Sequence, residues 1–252
     1  MKKRKLKKKM ILPLILFIIF SIMLIFSLIK IIIWFTYNNE NKSIKNEIDE
    51  YIQVIKEDKE DDTTKEQILV DFDKLTKQNE DAIAYLKVNG TNIDYVVVKG
   101  NDNEYYLKHN FNRNYNDAGW IFADFRNTFT KYDKNIVIFG HNTIDGSMFG
   151  TLRNILNKSW YTDSNNHIIT LITKTETLEY KVFSTYMIEP EEYYINTQIE
   201  DSEFDEFIKT LKKRSFYNYN TDISKASQIL TLSTCINNAS KRVVLHAAKI
   251  DE

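Results

Sequence analysis

Gln228–Ile250 reads QILTLSTCINNASKRVVLHAAKI. Two apolar runs, Gln228–Thr234 and Arg242–Ile250, flank the polar turn Asn237–Ser240. Short runs of Ile, Leu, Val and Thr separated by a polar cluster predict two strands joined by a turn. The chain's single cysteine, Cys235, stands where the first run ends. Side chains leave the core at a strand's end, and the loops there carry function. A thiol in that place is a candidate nucleophile; the alternative is a buried, inert small hydrophobe. One cysteine also rules out an intrachain disulfide framework and a zinc-ribbon site.

The same pattern extends upstream. Ile83–Val88, Ile93–Val98, Trp120–Asp124, Ile136–Phe139, Ile168–Thr173 and Leu178–Ile188 are β-rich, with turn signals such as Asn89-Gly90 between them. Eight strands at this spacing predict one mainly β domain, a sandwich or barrel. One helix is expected after Met148 (Phe149, Leu152, Ile155, Leu156). Another is expected at 202–213, where Phe204, Phe207, Ile208 and Leu211 share a face. Before the β region, Ile44, Ile48, Tyr51, Ile52 and Ile55 recur at helical spacing. A second helix is expected from Thr63, with Thr63-x-x-Glu66 as a capping box and Ile68, Leu69, Phe72 and Leu75 as its stripe.

Met1–Met10 holds seven basic residues, and Met10–Ile29 carries no charge. Lys30 interrupts, and Ile31–Phe35 extends the apolar run. Twenty residues at about 1.5 Å each span the roughly 30 Å hydrocarbon core. Lys30 can snorkel, and Trp34, Phe35 and Tyr37 form an outer aromatic belt. A cleaved signal has a shorter apolar core and a small-residue cleavage site, so an uncleaved, single-pass anchor is expected. The basic tail predicts a cytoplasmic N-terminus and an extracellular remainder. The chain divides into a tail (1–9), an anchor (10–36), a helical stalk (37–80) and a β domain (81–252).

A net charge of −1 conceals an asymmetry: 1–37 hold eight basic residues and no acid, leaving 26 basic and 35 acidic residues beyond. An acidic body argues against nucleic acid as a partner. H-E-x-x-H, C-x-x-C, EF-hand and phosphate-loop patterns are all missing from the sequence. No metal and no cofactor is expected.

A cysteine nucleophile needs a base and a group to stabilise the developing oxyanion. His141 follows Ile136–Phe139 and Gly140, also at a strand end. His109 and His167 read as surface histidines. His246 is the rival, sharing a face of the last strand with Arg242, but mid-strand among Val and Ala it reads as a packed histidine. Arg242 opens the strand after the cysteine turn, and its fixed charge suits an oxyanion. No acid lies between Cys235 and Ile250, so this hairpin offers a Cys-His pair assisted by Arg, not a Cys-His-Asp triad.

Thr231-Leu232-Ser233-Thr234-Cys235 resembles the T-L-x-T-C signature of sortases, in the Ser form typical of class B. Phe139-Gly140-His141-Asn142 resembles their histidine segment, and Lys241-Arg242-Val243-Val244 their arginine strand. Trp120–Asn127 and Gly146-Ser147-Met148-Phe149 also resemble class B segments. The likeness covers roughly 44–250. It implies a sortase-type eight-stranded β-barrel with N-terminal helices and a helix between the sixth and seventh strands. It also implies a cysteine transpeptidase: Cys235 attacks the Thr carbonyl of a C-terminal sorting motif on a secreted protein, His141 protonates the leaving amine, and Arg242 stabilises the oxyanion. A peptidoglycan-precursor amine then resolves the thioacyl intermediate. Class B members often take N-P-x-T-type motifs. Ser233, Tyr194, Ile195 and Val98 resemble groove-lining positions. The Cys235–Arg242 segment is shorter than in comparable class B members, which bears on the acceptor. A membrane-tethered cysteine hydrolase using water and a non-enzymatic extracellular binding domain are the alternative readings.

Overall fold

In the computed structural model, residues 11–58, 64–236 and 240–250 are described. Helix α1 (Ile11–Asp49) is followed by an antiparallel hairpin, β1 (Ile52–Asp58) and β2 (Thr64–Val70), and by helix α2 (Phe72–Gln78). Strands β3 (Ala82–Val88), β4 (Ile93–Val98), β5 (Phe122–Ala123) and β6 (Asn135–Phe139) come next. The short helix α3 (Lys158–Thr162) precedes β7 (Ile168–Thr173) and β8 (Thr177–Ile188). Helix α4 (Asp201–Lys213), β9 (Ile229–Ile236) and β10 (Lys241–Lys249) complete the chain.

The eight strands from β3 onward close into a barrel in the order β10-β8-β7-β3-β4-β5-β6-β9. Closure leaves no unpaired edge. Most neighbours are antiparallel; β4 with β5 and β6 with β9 are parallel. The barrel sides follow from the two-residue period of a strand. On β10, Val243, Leu245 and Ala247 join the main core with Tyr85, Trp120 and Phe122. Val244 and Ala248 alternate with them and join a second cluster with Phe204, Phe207, Ile208 and Leu211 of α4. The helix expected at 202–213 therefore forms, between the sixth and seventh barrel strands, and its apolar face packs on the outside of the barrel.

The N-terminal region corrects one expectation. The second stalk helix is not one element, because Thr64–Val70 is a strand and only Phe72–Gln78 is helical. Thr63 itself lies outside the described residues. Asp71 provides the real N-cap, its carboxylate accepting from the Lys74 backbone N–H at 3.0 Å. The supposed stripe thus spans two elements. Ile52 pairs with Val70 and Val54 with Ile68, so the period is two, in β-branched residues suited to a pleated surface. The helix expected after Met148 is also shorter: a 3-10 turn at Leu152–Leu156 followed by α3.

Helix α1 has 39 residues, about 58 Å at 1.5 Å each. It is long and apolar enough over its first part to cross a membrane. Its last part packs on the barrel, with Ile44 and Ile48 in the main core. Buried Asn41 donates to the Gly119 carbonyl at 3.1 Å, and Asn116 donates to Asn41 Oδ1 and the Tyr37 carbonyl, each at 3.1 Å.

Candidate active site

Parallel pairing of β6 and β9 sets the site. Phe139, the last residue of β6, lies opposite Ser233 in register, so the chain leaves β6 at Gly140-His141 beside Thr234-Cys235, where β9 continues to Ile236. Thr234 Oγ1 donates to the Gly140 carbonyl at 2.7 Å, tying the two ends. On the other side of β9, Arg242 of β10 is the antiparallel partner of Cys235. The segment after β6 and the β9–β10 hairpin, more than ninety residues apart in sequence, thus bring His141, Cys235 and Arg242 to one end of the barrel. Arg242 is half-buried and donates to the Lys241 carbonyl at 3.3 Å.

Two glycines make room for the histidine. A Cβ on Gly140 would meet Phe149 at 2.7 Å. Gly119, at φ +59°, lies where a Cβ would stand 2.5 Å from the Tyr106 carbonyl and 3.0 Å from His141 Cδ2. Only glycine fits that left-handed, crowded position. The half-buried His141 ring is fixed by a 2.7 Å bond from Nε2 to the Leu107 carbonyl. A carbonyl only accepts, so Nε2 carries the proton and Nδ1 is left for other chemistry.

His246 does not join this group. It is fully buried, with Nε2 2.8 Å from the Tyr186 hydroxyl and Nδ1 2.8 Å from Thr231 Oγ1. Thr231 spends its proton on Asn135 Oδ1 at 2.6 Å, so Nδ1–H donates to Thr231 and Nε2 accepts from Tyr186. Burial above all, with the Arg214 charge second, pushes its pKa down to about 3. It is the packed histidine that the sequence reading expected. His109 stacks on Tyr105 at 3.9 Å, and His167 bonds to the Tyr161 carbonyl at 2.8 Å.

Of the four groove residues, two meet directly. The Tyr194 hydroxyl lies 3.0 Å from Ser233 Oγ, and both residues are buried. Ile195 is next in chain and half-buried, its carbonyl accepting from Arg126 Nη2 at 3.1 Å. Val98 is not brought in. It lies in the row Val98–Phe122–Phe139–Ser233, three strands or about 14 Å from Ser233, wholly buried in the core.

Residues that the sequence reading did not single out hold this loop. Asn135, fully buried at the start of β6, donates to the Tyr194 carbonyl at 3.1 Å and the Asn196 carbonyl at 2.9 Å. Asp124, also fully buried, accepts from Arg126 Nε at 2.8 Å and Nη2 at 2.7 Å and from Asn103 at 2.9 Å. Burial works against the Asp124 carboxylate, but the bonds from Arg126 and Asn103 outweigh it and hold the pKa below the usual range. The sequence signal was faint: polar residues at strand ends, indistinguishable from turn residues. Among the described residues no group of His, Cys, Asp and Glu is placed to hold a metal.

Comparison with known proteins follows this geometry. Residues 86–250 match the sortase domain family. A sortase B of Listeria monocytogenes is 34% identical over 78% of this chain and 79% of its own. The crystal structure of sortase B from Bacillus anthracis in complex with AAEK1 superposes with a TM-score of 0.71 at 29% identity, covering 86% of this chain and all of that one. The Staphylococcus aureus sortase B–substrate complex gives a TM-score of 0.65 at 32% identity over 71% of this chain and 84% of that one.

Proposed function

The chain belongs to the sortase family, in its sortase B group of cysteine transpeptidases, and on that premise we propose that Cys235, His141 and Arg242 are its catalytic residues. The observation that carries this is the register: Arg242 opposite Cys235, and Thr234 bonded to the carbonyl before His141.

The Cys235 thiolate adds to the Thr carbonyl of a sorting motif near the C-terminus of a secreted protein. The Arg242 guanidinium stabilises the oxyanion. The C–N bond then breaks as His141 gives the leaving amine its proton, leaving a thioester on Cys235. A peptidoglycan-precursor amine attacks the thioester, His141 takes its proton, the C–S bond breaks and the thiolate returns. Ser233, Tyr194 and Ile195 contact the motif, which is N-P-x-T-like or a variant.

Residues 1–9 form a cytoplasmic tail, 10–36 the span, 37–80 the stalk, and 81–252 the extracellular catalytic domain. The seven basic residues before the apolar run support this orientation. Tethering holds the enzyme where emerging substrate and lipid-linked acceptor lie, raising their effective concentration.

The test incubates the chain from residue 38, wild-type and Cys235→Ala, with sorting-motif peptides, with and without an added amine. Cleavage after Thr with amine-ligated product, lost in the variant, supports the reading. Cysteine-dependent cleavage that ignores every amine offered makes the protein a hydrolase. No cleavage, with Cys235 resisting alkylation in the folded protein, makes it a binding domain.

A further inference from the structure

The segment after His141 lies against the membrane-proximal part of α1. One cavity of about 390 Å³ has Lys30, Trp34 and Asn38 of α1 on one wall and His141, Asn142 and Ile144 on the other. A second cavity pairs Phe35 and Lys42 with Gly146 and Ser147. The loop therefore straddles the helix between residues 30 and 42.

That level can be set against a bilayer. Twenty residues, Ile11–Lys30, cover about 30 Å, the full hydrocarbon thickness. The outer edge of the hydrocarbon then falls near Lys30, with Trp34 and Tyr37 in the interfacial layer. Ile144 sits at that same level and is 85% exposed. The loop is a tight hairpin, with an Asn142–Met148 bridge and Gly146 at φ +80°. Asp145, beside Ile144, is turned to its own loop and accepts from Ser147 Oγ at 2.8 Å. The cavity is lined for polar company. Asn38 Nδ2 and Oδ1 and Asn142 Oδ1 are buried without a hydrogen-bond partner among the described residues, a costly state unless something polar enters. Lys30 supplies a cation, and Asp117, the acid of the lining, accepts from the Tyr115 hydroxyl at 2.7 Å. The Asn41 and Asn116 bonds fix α1 to the domain, so the domain does not hang freely from its anchor.

We propose that the loop Asn142–Ser147 rests in the interfacial layer of the bilayer that α1 spans, with Ile144 among the lipids and a phospholipid headgroup in the cavity beside it. The inference rests on α1 being the anchor, and its occupant is the bilayer, not a protein. It places the His141 end of the site at the membrane surface, open to substrates presented there.

Cys235 is the only cysteine, so a full-length Cys235→Ala protein accepts one spin label at a chosen position. Labels are placed at Ile144→Cys, at Phe20→Cys within the apolar run, and at Tyr132→Cys. Tyr132 is 79% exposed and precedes β6, at the barrel end opposite His141. Collision of each label with oxygen and with a water-soluble nickel chelate is measured in phosphatidylglycerol/phosphatidylcholine vesicles. The Ile144 label is expected to be several-fold less accessible to nickel than the Tyr132 label, and shallower than the Phe20 label. Equal nickel access at Ile144 and Tyr132, with Phe20 in the bilayer, overturns the proposal while leaving the anchor intact. A Phe20 label open to nickel removes the anchor and the proposal with it.

Discussion

His246 and Tyr194 are buried polar side chains of one barrel, one bonded to Tyr186 and Thr231 and the other to Ser233. His246 is neutral in the fold, with its pKa near 3, whereas in the unfolded chain it titrates near 6.5. Between those values the unfolded state binds the extra proton, so stability falls as pH falls through that window, by up to about 1.4 kcal/mol per pH unit. His246→Gln removes this contribution. The unfolding free energy from urea titrations should drop less between pH 6.5 and 5 in the variant than in the wild type, and an equal drop would show that His246 does not stay neutral. Tyr194→Phe deletes the hydroxyl that meets Ser233. It should raise KM for a sorting peptide several-fold with kcat little changed; a loss confined to kcat would remove Tyr194 from binding. The placement of Cys235, His141 and Arg242 was legible because each sits at the end of a readable β run. Val98 lies buried in the core, three strands along the barrel wall from Ser233, and alternation alone does not tell which strand ends line a groove.

Elements were readable where the periodicity was unbroken and misread where two periods coincide. All eight barrel strands and α4 follow from alternation and from an apolar helical stripe. The β1–β2 hairpin did not, because Ile48, Ile52 and Ile55 fit a helix while Ile52 and Val54 fit a strand, and only cross-strand pairing with Val70 and Ile68 decides. Trp120–Asp124 contracts to Phe122–Ala123 because Gly119 turns the chain just before it and Asp124 bonds Arg126 just after. That ion pair also supports the Tyr194–Ile195 turn. Arg126→Ala strands a buried carboxylate and should destabilise the domain by about 3 kcal/mol. Hydrogen exchange should quicken at residues 193–196, whereas unchanged exchange there would mean that Arg126 does not hold the turn.

At the scale of the whole molecule, α1 is apolar and long enough over its first part to cross a membrane and, over its last part, belongs to the domain. Ile44 and Ile48 are 5% and 1% exposed, and burying an isoleucine side chain is worth about 1.5–3 kcal/mol. A chain beginning at residue 51 should therefore be about 3–6 kcal/mol less stable in urea than one beginning at residue 38. Equal stability would mean that the helix only leans on the barrel. The bonds that fix this helix were not legible in the sequence, since Asn41 and Asn116 carry no pattern that marks them as partners. The central claim concerns chemistry, and intact-protein mass spectrometry tests it most directly. The chain from residue 38 is mixed with a sorting-motif peptide, quenched in acid, and then chased with an amine. The account predicts an adduct equal in mass to the peptide up to its Thr, located on Cys235, lost on adding the amine and missing in Cys235→Ala. Product formed with no such adduct, or formed equally by Cys235→Ala, would contradict it.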